Sequence, residues 1–218
     1  MRLLTADIGL KTCSLCIEDY DDDIVKQVEF PAKKNRYNKD GSSTEAMCNA
    51  IKAVGKLGHI IHLDKRELGN QVDMHNNIAF LNLYTWLDEL YEKNLLNDVD
   101  IILIEQQMLV NKIAQAIMYH MQAYFLLKFR SQKAIILYPS KNKTRIIGMQ
   151  LKLENGENTS KYQRKQFSIK YIEALLKERK DDQFYNYIFV ENKKKKDDLS
   201  DVVMMSLAYT VQQIIKDK

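Results

Sequence analysis

Near the start of the chain, apolar residues fall into short runs; beyond residue 76 they recur at helical spacing. Arg2 to Asp7, Thr12 to Glu18 and Ile24 to Phe30 read as three short strands joined by tight turns, an antiparallel meander. The first turn is Ile8-Gly9-Leu10-Lys11, and the second carries Asp21, Asp22 and Asp23. Residues 31 to about 75 are polar with little periodicity, Asn35 to Gly41 being the most loop-like part. A helix is expected around Thr44 to Val54, and the whole stretch reads as an insertion or lid. From Asn76 to Lys93 the apolar positions Ile78, Leu81, Leu83, Leu87, Leu90 and Tyr91 predict a helix.

Asp100 to Glu105 is a continuous apolar run, as expected of a strand covered on both faces. Asn111 then caps a predicted helix from Lys112 to Phe129, with Ile113, Ile117, Met121 and Phe125 on one stripe. Ala134 to Tyr138 is a further strand, closed by Pro139. Lys161 to Lys180 forms a charged amphipathic helix, Phe184 to Val190 a strand or an ordered return, and Asp198 to Lys216 the last helix. With 218 residues, 45% of them hydrophobic, the chain supports one sizeable core and is expected to be a single domain, 1–218, carrying its insertion at about 31–75.

The element order is that of the RNase H-like fold, in the α/β class: a five-stranded mixed sheet, three antiparallel strands followed by alternating helix and strand, flanked by helices. In such a sheet the first and fourth strands can be neighbours. Asp7 and Glu105, which end those two strands, would then come together.

Charged residues at the ends of buried strands are costly unless something compensates them. Asp198 and Asp201 add two more carboxylates, one helical turn apart, where the last helix begins. Each has an ordinary explanation by itself, since an aspartate at a strand end is commonly a turn residue and Asp198 alone is commonly an N-cap. Together they fit a divalent cation. Two such ions about 4 Å apart would polarise a phosphate, activate a water and stabilise the leaving oxygen, the requirements of phosphodiester hydrolysis. Magnesium, a hard cation, suits this all-oxygen set. Asp197 lies about 100° around the helix from Asp198 and is expected to point away and to be dispensable.

Charge is unevenly spread. Although 33 Lys+Arg against 29 Asp+Glu leave a net charge of only +4, residues 141 to 170 hold Lys141, Lys143, Arg145, Lys152, Lys161, Arg164, Lys165 and Lys170 against Glu154 and Glu157. The tetrad Lys193 to Lys196 follows. A basic C-terminal half suits a polyanion. Three cysteines and the lack of any signal-like or membrane-spanning apolar stretch suggest a soluble, reducing, intracellular setting. Cys13-x-x-Cys16 with His59-x-x-His62 is a conceivable zinc set, but strand residues three apart face opposite sides, so the cysteines read as buried thiols. His75 and His120 read as structural.

These residues, taken in order, resemble the RuvC-type Holliday junction resolvases of the RNase H-like superfamily, and by length and insertion the poxvirus-like viral branch. Asp7-Ile-Gly9 is similar to the family's first acidic motif, and Ile104-Glu105-Gln106 with Met108 and Asn111 to its second. Lys143-Thr-Arg-Ile-Ile-Gly148 resembles its basic segment, Lys165 to Leu176 its lysine-bearing helix, and Asp198-Leu-Ser-Asp201 its terminal acidic pair. The resemblance covers most of the chain outside residues 31–75. It implies a homodimeric, magnesium-dependent endonuclease that cuts four-way DNA junctions, with Mn2+ as a substitute ion. Asp7, Glu105, Asp198 and Asp201 would bind two metal ions. Lys143 and Lys165 would serve the scissile phosphate, and Lys141, Arg145, Lys161 and Arg164 would bind DNA alongside them. A viral origin would put the protein in the host cytoplasm or at a viral replication site.

Three other readings make different demands. An RNA–DNA hybrid nuclease or transposase-like domain would share the carboxylates but not the substrate. The ATPase and sugar-kinase branch of this fold uses glycine-rich phosphate loops, which seven scattered glycines do not supply. A non-catalytic DNA scaffold would not need all four acids.

Overall fold

The first strand, β1 (Arg2–Asp7), turns at Gly9 into β2 (Cys13–Asp19), and the two pair antiparallel from Arg2↔Asp19 to Asp7↔Ser14. A side chain at Gly9 would put its Cβ 2.5 Å from the Thr12 carbonyl oxygen, so the turn is open only to glycine without a backbone shift. This computed structural model describes residues 1–149 and 157–216; Lys152 and Glu154 of the basic stretch lie outside the described residues.

The strand expected at Ile24–Phe30 is not formed. Asp21 instead accepts hydrogen bonds from the backbone N–H groups of Asp23 and Ile24 and caps a single helical turn, Asp22–Val25. Three acids in sequence favour a helix N-terminus over a strand end. The missing strand comes later, as β3 (His59–Arg66), inside the segment read as an insertion. Its polar residues concealed it: only Ile60 and Leu63 are buried, as befits a strand at the edge of a sheet.

With β4 (Ile101–Gln106) and β5 (Ala134–Pro139) the sheet order is β3-β2-β1-β4-β5. β4 runs parallel to β1, from Leu3↔Ile101 to Ala6↔Ile104, and parallel to β5. The mixed sheet expected from the element order is therefore present, with β1 and β4 as neighbours.

Backbone packing divides the chain into two units, each made of two segments: Met1–Asp19 with Ile60–Ser140, and Tyr20–His59 with Lys141–Lys218. Residues 31–75, expected as one insertion, are thus shared between them. The first unit has its core where one sheet face, including Leu4, Ala6, Cys13, Leu15, Ile102 and Ile104, packs with helices at Ile78–Glu92 and Lys112–Phe129. Asn111 caps the second of these through Ala114 N–H, as its position predicts. Cys13 belongs to this core whereas Cys16, also fully buried, does not, as alternation along β2 requires. His120 stacks on Phe80 and meets the Tyr84 hydroxyl at 2.6 Å, a structural role.

Helices build the second unit, among them α1 (Glu45–Leu57), α2 (Ser140–Ile147), α3 (Lys161–Arg179) and α4 (Lys196–Lys216). α4 is buried along most of its length, at Leu199, Ser200 and Val202 to Val211 with Ile214, including the polar Ser206 and Thr210. Thr210 meets its own helix, donating to the Ser206 carbonyl, and Ser168 of α3 donates to Met204 sulfur across the α3–α4 contact. The stretch at 184–190 is helical, Asp182–Asn186 running into a wider turn at Tyr187–Glu191.

Candidate active site

In the first unit the candidate residues are Asp7 and Glu105. Each comes one position after the last matched pair of the parallel β1–β4 ladder, Ala6↔Ile104; Asp7 is the last residue of β1 and Glu105 the last but one of β4. Glu105 is 8% exposed, and Gln107 Nε2 donates to its Oε2 at 3.0 Å. Asp7 pairs with Ser14 across β1–β2, and its charge adds to burial in pushing the Cys13 thiol up to about 12. Beside the β1–β2 turn, an open groove of about 540 Å³ is lined by Gly9, Lys11, Asn70, Gln71 and Asn111. Lys11 and Asn70 stand at no spacing that marks them in the sequence.

The second unit holds the rest. Lys143 lies in α2, so the basic segment Lys143 to Gly148 is largely helical. The C-terminal carbonyls of α2 are satisfied from the segment before α1: Tyr37 OH donates to Ile146 O at 2.9 Å, Ser43 Oγ to Ile147 O and Ser43 N–H to Gly148 O. Gly148 has φ +81°, and a Cβ there would lie 1.6 Å from Ser43 Oγ. Held this way, Lys143 is buried, and its Nζ sits 2.7 Å from Asp201 Oδ2.

Lys165 projects from the first turns of α3, where Ser160 and Gln163 form a capping box. Its Nζ makes an ion pair with Asp197 and lies 3.9 Å from Asp198 Oδ1; Lys195 approaches Asp198 from the other oxygen at 3.7 Å. Asp197 therefore turns toward Lys165 instead of away, the reverse of the helical-angle expectation. α3 packs against α4 and brings Lys165 to the side that carries Asp197, a tertiary placement that spacing along α4 alone does not fix.

Electrostatics separate the two neighbours. Burial would raise the Asp197 carboxyl, but the hydrogen bond and charge of Lys165 outweigh it and hold it low. Burial and the adjacent Asp197 charge raise Asp198, against the pull of Lys165 and Lys195. Burial lowers the Lys165 ammonium, yet the hydrogen bond to Asp197 and the charges of Asp197, Asp198 and Asp201 carry it above its ordinary value. Lys141, Arg145, Lys161 and Arg164 are by contrast exposed. The basic set thus divides into two paired lysines and four solvated cations. Among the described residues, no three His, Cys, Asp or Glu side chains stand together as a ready metal-ligand set.

Compared with known proteins, the chain aligns over 98% of its length with the crystal structure of the fowlpox virus resolvase in complex with its substrate Holliday junction DNA, covering 99% of that chain, at TM-score 0.55 and 14% identity. A second crystal structure, of the fowlpox virus Holliday junction resolvase, aligns over the same shares at TM-score 0.54 and 14% identity. The chain has the RNase H-like fold of that resolvase. Within this RNase H-like fold, the match extends through both units, including the 31–75 segment that the sequence motifs left uncovered.

Sequence relatives lie among viruses. The uncharacterized protein 170L of invertebrate iridescent virus 6 is 31% identical over 146 residues, which is 60% of this chain and 57% of that protein. The uncharacterized protein 97L of invertebrate iridescent virus 3 is 31% identical over 112 residues, 51% of this chain and 48% of its own. The chain thus spans about half the length of these relatives. No family model matches it. Among the described residues, no helix is long and apolar enough to cross a membrane.

Proposed function

We propose that this protein is a structure-selective endonuclease that resolves four-way DNA junctions by metal-assisted phosphodiester hydrolysis. The observation that carries the reading is the parallel β1–β4 pair, with Asp7 and Glu105 each one position past its last matched residues. The RNase H-like fold, shared with a resolvase crystallised on a Holliday junction, supports the choice of substrate.

Asp7, Glu105, Asp198 and Asp201 are the proposed ligands of two magnesium ions, with manganese as a substitute. Their chemistry fits a hard cation: all donors are carboxylate oxygens, and Asp201 Oδ1 is buried with no hydrogen-bond partner among the described residues. Bound there, magnesium would supply charge to the phosphate and acidity to an attacking water. The chain's own part is to orient and to donate. Lys143 is held by α2 and paired with Asp201, so its ammonium is aimed before substrate arrives. Lys165 is aimed in the same way by α3 and Asp197. Lys141, Arg145, Lys161 and Arg164 would hold the DNA backbone through exposed charge, which reads shape more than sequence. A four-way junction has approximate two-fold symmetry, so paired nicks imply a homodimer. The iridescent-virus relatives fit action at a viral replication site.

The test is magnesium-dependent cleavage of junction, linear duplex and RNA–DNA hybrid, with Asp7→Asn as control. Junction cutting that Asp7→Asn abolishes is the expected result. Cutting of the hybrid alone would move the substrate to another nuclease class, and binding without cutting would make the protein a scaffold.

A further inference from the structure

Asp197 has no part in the proposed ligand set, yet it pairs directly with Lys165 at the acidic start of α4. The reason lies in α3. That helix opens with Lys161, Arg164 and Lys165 and has no acid in its first turn, so its leading cations oppose the helix dipole. Lys165 is also partly buried, which disfavours its charge further. A carboxylate beside the ammonium offsets both costs. Two are within reach: Asp197 in direct contact, and Asp198 at 3.9 Å.

Which of the two takes the ammonium decides what the other can do. We propose that Asp197 is a positioning residue that captures the Lys165 ammonium and thereby keeps Asp198 open as a metal ligand. The inference rests on the reading of Asp198 as a ligand. Asp198 is the more vulnerable partner, since Lys195 already stands 3.7 Å from its second oxygen. With Asp197 neutralised, Lys165 keeps its charge and its burial but loses its anchor, and the nearest remaining anion is Asp198. A lysine closing on Asp198 would occupy the oxygen a cation needs. Asp197 therefore acts through Lys165, and its worth depends on that lysine being present.

This dependence makes a double-mutant test possible. Mn2+ binding to the full chain, read as loss of the free-ion signal by electron paramagnetic resonance, needs neither DNA nor turnover. Asp197→Asn is expected to weaken Mn2+ binding about tenfold, the usual scale for a residue that orients a ligand without touching the metal. Lys165→Gln should not weaken it. The double variant should return to within about twofold of Lys165→Gln alone. Asp197→Glu, which keeps the anchor, should bind Mn2+ as the wild type does. If Asp197→Asn binds Mn2+ like the wild type, or the double variant is as weak as Asp197→Asn, the proposal is overturned while the metal reading stands. A wild-type protein that binds no Mn2+ overturns both.

Discussion

A lysine buried against a carboxylate is a different group from a lysine in water, and this chain contains both kinds within one short basic stretch. Lys143 and Asp201 are nearly enclosed, so removing the ammonium strands an acid that has little solvent to turn to. Lys143→Met is expected to cost about 3 kcal/mol in urea unfolding without divalent ions. Lys141→Met, two residues away and exposed, should stay within about 0.5 kcal/mol. The three cysteines contrast in a similar way. Burial and the Asp7 charge push the Cys13 thiol up to about 12, so thiolate is scarce at pH 8, and Cys16 is enclosed. Cys48, only partly buried, should be the one thiol that iodoacetamide labels in the native protein, with all three labelled in denaturant. Labelling of Cys13 at that pH without unfolding would contradict the packing of β2. At this scale the sequence displays the acids and the lysines but not the pairing of Asp197 with Lys165, which depends on how α3 packs on α4.

Among the elements, α2 is held less by its own sequence than by the chain before α1. Tyr37 and Ser43 satisfy the carbonyls at its C-terminus, so the segment read as a lid is in part the support for Lys143. Tyr37→Phe removes one of these donors and should lower stability by about 1 kcal/mol in thermal or chemical melts. Gly148→Ala should cost more, about 2 kcal/mol, because the positive φ and the Ser43 contact both resist a side chain. The strands β1, β4 and β5 and the long helices were legible because each has an apolar run or stripe of full length. Two errors share one cause. The acidic turn at Asp21–Asp23 was read through to Ile24–Phe30 as a strand, and β3 was overlooked because an edge strand needs few apolar residues. Local capping and edge placement belong to tertiary context, which periodicity does not carry.

Over the whole molecule, solvated charge and paired charge should give different salt signatures. If Lys141, Arg145, Lys161 and Arg164 contact phosphates, junction affinity should fall steeply with salt, and each alanine variant should reduce the log–log slope by about 1. A slope unchanged in all four variants would remove them from the DNA interface. The element order led to the right fold class, but not to the division into two interleaved units, since nothing in composition says that residues 20–59 pack with residues beyond 140. That interleaving has a consequence in time. β1 cannot find β4 until about a hundred residues have followed it from the ribosome, and residues 20–59 wait longer still for α3 and α4. Contacts so distant in sequence make for slow folding. The helix that bears Asp197, Asp198 and Asp201 is synthesised after α2 and α3, so a nascent chain holds Lys143 and Lys165 before it holds the acids that pair with them.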